Sequence, residues 1–203
     1  IAEVLGAWIV NALVIERTPK GRRGLNALMN HYRDEWMEQL LAREMRMVDA
    51  QVTAALQNGT AFFASTSLIA IGGTLTLLRS TDEILTMVSV LPFGATSSRL
   101  LWEMKMMGLA LIFVYAFFKF GWAYRLYNYV AILVGATPPA KDKYTPEAQA
   151  DADRVGRLCQ VAGLHLNAGH GAVFFALSSP GWFHRPPLCI LLGLSVRWVL
   201  LPA

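Results

Sequence analysis

The chain has 203 residues, of which 55% are hydrophobic and only 16% charged, with a net charge of +4. A soluble domain carries about 25% charged residues, so the deficit points to lipid as part of the solvent. The positive balance is not a nucleic-acid signal, because most of the arginines and lysines fall in two loops, where membrane topology puts them.

Five hydrophobic segments run along the chain. The first, 1–15, is followed by charge rather than preceded by it, which argues against a cleaved signal peptide. At about 15 apolar residues it falls short of the ~20 that a span needs, as does the fifth segment, 188–203, and both are expected to be incomplete helices. Residues 24–57 follow, where Leu25, Leu28, Tyr32, Trp36, Leu40, Met47, Val48, Val52 and Leu56 recur at helical spacing among charged residues. One long amphipathic helix is expected there, its Tyr32/Trp36/Leu40 face covered by protein or by the inner lipid surface. The second segment, 60–78, is long enough to span.

The stretch "RSTDEILTMVSVLPFGATSSR" predicts a short helix, N-capped by Ser80 or Thr81 and ended before Pro92. The third segment, 100–135, is about 54 Å long as a helix, so its far end must leave a ~30 Å hydrocarbon core or bend. A polar linker then leads to Thr145-Pro146-Glu147, a helix start with proline in the first helical position. The fourth segment, 157–177, precedes the fifth.

The loops set an orientation. Arg17, Lys20, Arg22, Arg23, Arg33, Arg43 and Arg46 lie between the first two segments, and Arg125, at the inner end of the third, joins Lys141, Lys143, Arg154 and Arg157 on the way to the fourth. The other two connections hold Arg79, Arg99 and Arg185. The basic loops are therefore expected in the cytoplasm. The fold expected is all-α: a polytopic membrane helical bundle of 4–5 transmembrane helices plus a long cytoplasmic amphipathic helix, forming one domain over 1–203. No internal repeat of the kind common in secondary transporters is visible.

Three stretches carry a family resemblance: "FFASTSLIAIGGTL", "WEMKMMGLALIFVYAFFKFGWAYRLYNYVAILVGATP" and "AGLHLNAGHGAVFFAL". With "MNHYRDEWMEQLLAREMRMVDAQV" they resemble the DUF599 family of integral membrane proteins, found in proteobacteria and plants. The resemblance covers nearly the whole chain and implies a multi-pass protein of the bacterial cytoplasmic membrane. It implies no reaction, cargo or cofactor. Similar members tend to read "HFN.G.RAYYFAL" in the fourth segment. His165, Asn167 and Gly169 fit that pattern, while Gly171 replaces a common arginine and Val173 a common aromatic.

The residues that invite a chemical role are few. His165 and His170 are about 140° apart on a helix, so one helix cannot aim both at one metal. Cys159 and Cys189 lack metal spacing and sit in apolar surroundings, as buried free thiols do. No metal site and no catalytic residue is expected, and no cofactor is named. Gly163, His165, Asn167, Gly169, His170 and Gly171 read instead as a helix-packing interface. Small residues admit a second helix, and the polar groups hydrogen-bond across it. Lys119, Trp122, Arg125 and Tyr129, within a run of aromatics, read as interfacial anchors. A quinone or pigment cleft is the sharper alternative for that run.

The leading functional reading is a non-catalytic accessory subunit of a larger membrane assembly, with the bilayer and other membrane subunits as partners and no nucleic acid. The alternative is a small transporter or channel lined by Thr66, Asn128, Asn167 and His170. A membrane-embedded enzyme with His165 as base ranks third.

Overall fold

In the computed structural model the described residues are 25–89 and 98–177, and they are helical throughout apart from short connections. Their order is α1 (Leu25–Ala42), α2 (Met47–Arg79), α3 (Thr81–Ser89), α4 (Arg99–Ala136), a 3-10 turn (Ala140–Asp142) and α5 (Pro146–Leu177). The first and fifth hydrophobic segments lie outside the described residues.

The caps follow from the sequence. Thr145 accepts the N–H of Ala148 on its side chain at 3.3 Å and that of Gln149 on its carbonyl at 3.2 Å. It is thus the N-cap of α5, with Pro146 in the first helical position, where a missing N–H costs nothing. Ser80 takes the N-cap of α3 through its carbonyl, bonded to the N–H of Ile84 at 3.1 Å, while the Thr81 hydroxyl donates back to Leu78.

The long amphipathic helix expected over 24–57 is broken. α1 ends at Ala42, and the remainder of that stretch is the start of α2, continuous with the second hydrophobic segment. No glycine or proline marks the break. Its cause is tertiary. Trp36 and Asp49, 13 residues apart, would be separated by about 20 Å along one straight helix, yet the Trp36 Nε1–H donates to Asp49 Oδ1 at 2.6 Å. Only a reversal at residues 43–46 allows this. Arg46 becomes the N-cap of α2, its carbonyl bonded to the N–H of Ala50. The buried face of α1 is also rotated from expectation. Met37, Leu40 and Leu41 are buried, Trp36 is half-buried, and Tyr32 is 52% exposed. The helix start expected at Pro146 and the fourth hydrophobic segment, 157–177, form one continuous helix, α5.

The described residues fall into two compact units, one holding those of Pro19–Ala64 and Phe118–Ala168, the other those of Ser65–Phe117 and from Gly169 on. The core of the former takes Met37, Leu40 and Leu41 from α1, Leu126, Tyr127, Val130 and Val134 from α4, and Ala148, Ala152, Val155, Cys159 and Ala162 from α5. The alanines let α5 approach closely while the large side chains of α1 and α4 fill the space. The latter unit buries Met106, Ala110, Ile112 and Ala116 of α4 with Ala172 and Ala176 of α5. Arg99 pairs there with Asp82 at 3.0 Å and Glu103 at 2.8 Å.

α2 is distinctive. Its buried polar positions are Asp49, then Thr53, Thr60, Ser67 and Thr74 at intervals of seven residues. A seven-residue period is the signature of a narrow helix–helix seam. The hydroxyls of Thr53, Thr60 and Thr74 donate to the carbonyls four residues earlier, at 2.8, 2.6 and 2.7 Å. Their polarity is thereby satisfied within the helix, and a small, smooth surface faces the neighbours. Away from this seam α2 is apolar and uncovered: Phe62 is 64%, Leu68 56% and Ile69 75% exposed. Among the described residues, α2 and α4 are the two helices long and apolar enough to cross a membrane. α5 has the length, but Gln160, His165, Asn167 and His170 dilute its apolar run.

Candidate functional site

The densest polar arrangement lies where α1 gives way to α2. Asp49 stands in the first turn of α2, where the helix dipole favours a negative charge. Its carboxylate is fully buried. Oδ1 receives the Trp36 indole N–H and the Arg43 guanidinium, each at 2.6 Å. Asp49 Oδ2 is buried with no hydrogen bond among the described residues. Arg46 reaches across the chain. It donates to the carbonyl of Thr137 at 2.6 Å and to that of Pro138, carbonyls that the end of α4 leaves without helical partners. One turn further along α2 from Thr53, Gln57 Nε2 donates to Asn128 Oδ1 at 2.7 Å, tying α2 to α4.

Between these ties lies a cavity of about 330 Å³. Arg46, Ala50, Thr53 and Gln57 line it from the α2 side, and Ala131, Val134 and Gly135 from α4. It exists because alanine and glycine occupy the facing positions. A Cβ added to Gly135 would meet no atom within 4 Å.

The residues expected to form a helix-packing interface are placed unequally. Gly163 and Gly169 are buried, His165, His170 and Gly171 are half-buried, and Asn167 is exposed. Gly163 lies under the Arg33 guanidinium, and a Cβ built there would stand 2.5 Å from its Nη2. Arg33 also donates to Asn30 Oδ1 at 2.6 Å, and the adjacent Asp34 accepts from Gln160 Nε2 at 2.7 Å. A Cβ on Gly171 would meet nothing within 4 Å. The His165 ring lies edge-on to Trp122, with centroids 6.4 Å apart, and the His170 ring lies 6.4 Å from Phe174.

The expected anchors form a ladder on α4. The Arg125 guanidinium sits 5.7 Å from the centre of the Trp122 ring and 5.6 Å from that of Tyr129, and its Nε–H donates to the Tyr129 hydroxyl at 2.8 Å. Trp122 and Tyr129 are exposed, and Lys119, one turn before Trp122, is half-buried. Among the described residues no group of three or more His, Cys, Asp or Glu side chains is placed to hold a metal.

The sequence reading missed the Trp36–Arg43–Asp49 junction, the Arg46 clamp and the hydroxyl seam. The seam had a signal, the recurrence of Thr or Ser every seven residues from Thr53. The junction had none that a single sequence displays, because its members meet only through the chain reversal.

The family model described as "Protein of unknown function, DUF599" matches residues 1–202. The chain belongs to the DUF599 family. No curated protein and no solved structure matches it. In this DUF599 protein the Arg46 clamp holds the "GATP" end of the long family stretch, and the Trp36–Asp49 bond fixes "MNHYRDEW" against the start of α2.

Proposed function

We propose that this DUF599 protein is a multi-pass membrane protein of the bacterial cytoplasmic membrane, with 4–5 spans, that acts without catalysis as an accessory subunit of a larger membrane assembly. The observation that carries this reading is the uncovered apolar flank of α2, whose most apolar stretch is only 11% buried. A soluble monomer rarely leaves so continuous an apolar surface to water. Lipid and a neighbouring helix are its natural cover. The hydroxyl seam supports the same view, since small residues with internally bonded hydroxyls let helices pack where lipid offers no hydrophobic drive. In this arrangement the Arg17–Asn58 and Thr137–Arg157 regions face the cytoplasm, and Trp122, Arg125 and Tyr129 lie at the inner headgroup level.

Purification of the full chain in a mild detergent tests the role. Other subunits recovered in fixed proportion are the expected result. A lone homo-oligomer that passes solute across liposomes would replace the subunit reading with a transporter or channel.

A further inference from the structure

We propose that the cavity between α2 and α4 is a binding site for a small carboxylate with a compact apolar body. Its volume of about 330 Å³ lies at the lower end of the ~300–1,000 Å³ typical of small-molecule pockets. Its composition also matches the usual pattern of an apolar lining with a few placed polar groups.

Arg46 is the key residue. Two of its N–H groups are committed to the carbonyls of Thr137 and Pro138, which fix the guanidinium in place. A guanidinium has five such donors, so the others remain for a ligand. Among the described residues Arg46 has no carboxylate within ion-pair distance, unlike Arg43, which is paired with Asp49. A cation held by neutral carbonyls and bordering a cavity attracts an anion, and its planar fork suits a carboxylate.

The opposite wall selects the rest of the ligand. Ala131, Val134 and Gly135 offer only carbon and backbone, so an apolar body fits against them where a fully hydrated anion would lose water for nothing in return. Gln57 supplies a polar end. Its N–H to Asn128 holds it, and its amide oxygen still accepts.

Calorimetry on the full chain in lipid nanodiscs tests the site, with benzoate, benzyl alcohol and inorganic phosphate as probes. Benzoate is expected to bind, with benzyl alcohol and phosphate each at least about tenfold weaker. Gly135→Leu is expected to abolish benzoate binding, because the new side chain enters the cavity. The open space at Gly135 and the better helix propensity of leucine should keep the fold intact. Arg46→Gln should weaken benzoate binding by at least about tenfold. If that variant does not fold, Gly135→Leu decides alone. Equal binding of benzyl alcohol or of phosphate would overturn the proposal, as would benzoate binding that survives Gly135→Leu, the mark of partition into lipid.

Discussion

Asp49 and Arg43 are unequal partners. The Asp49 side chain is fully buried, whereas that of Arg43 is 40% exposed. Removing Arg43 strands a carboxylate without its cation, and breaking a buried pair in this way costs about 3–5 kcal/mol. Removing the charge at Asp49 leaves an arginine that can turn to water. Arg43→Met should therefore destabilise the protein more than Asp49→Asn, for which about 1–3 kcal/mol is expected. Adding Asp49→Asn to Arg43→Met should recover part of the loss. Unfolding curves of the three variants in one detergent check the order. An Asp49→Asn variant less stable than Arg43→Met would remove the buried carboxylate from the account. The glycines of α5 divide in a similar way. Gly163→Leu must displace the Arg33 guanidinium, an overpacking worth about 1–3 kcal/mol. Gly171→Leu enters open space and should stay within about 0.5 kcal/mol of the parent.

At the scale of the element, the long helices were legible because their signal is local. The third hydrophobic segment, read as 100–135, is α4, Arg99–Ala136. The start of α5 was visible in Thr145-Pro146, and the short α3 in Ser80-Thr81. The break between α1 and α2 was not, because "LAREMRM" is made of good helix formers. Its conformation is decided by partners as distant in sequence as Thr137, which no local pattern encodes. For the same reason the glycines and polar residues of "AGLHLNAGHG" read as one interface in sequence, while the structure buries Gly163 and Gly169 and exposes Asn167. The clamp gives a direct test of this long-range control. Arg46→Ala should fray the last turn of α4, seen as faster amide hydrogen exchange over residues 133–137, with the middle of α4 unchanged. Unaltered exchange in that turn would show that the end of α4 does not depend on Arg46.

At the scale of the whole molecule, charge and apolar surface point the same way. The basic residues gather in the connections 16–59 and 136–157, while the connections 79–99 and 178–187 hold only Arg79, Arg99 and Arg185. The helix α4 has 38 residues and is about 57 Å long, well beyond a ~30 Å hydrocarbon core. In the multi-pass arrangement proposed above it extends past the bilayer on at least one side. That arrangement puts the start of the extension at the Trp122–Arg125–Tyr129 ladder, since aromatic rings and arginine share a preference for the headgroup level. The same proposal puts the turn at Ala140–Asp142 beyond the inner headgroups, with Lys141 in water on the cytoplasmic side. A cysteine placed at Lys141, with both native cysteines changed to alanine, should resist a membrane-impermeant maleimide in intact cells and react once the membrane is opened. A cysteine at Ser98, at the opposite end of α4, should react in intact cells. Strong labelling at position 141 from outside would invert the topology. It would also detach the basic loops from the positive-inside rule that places them.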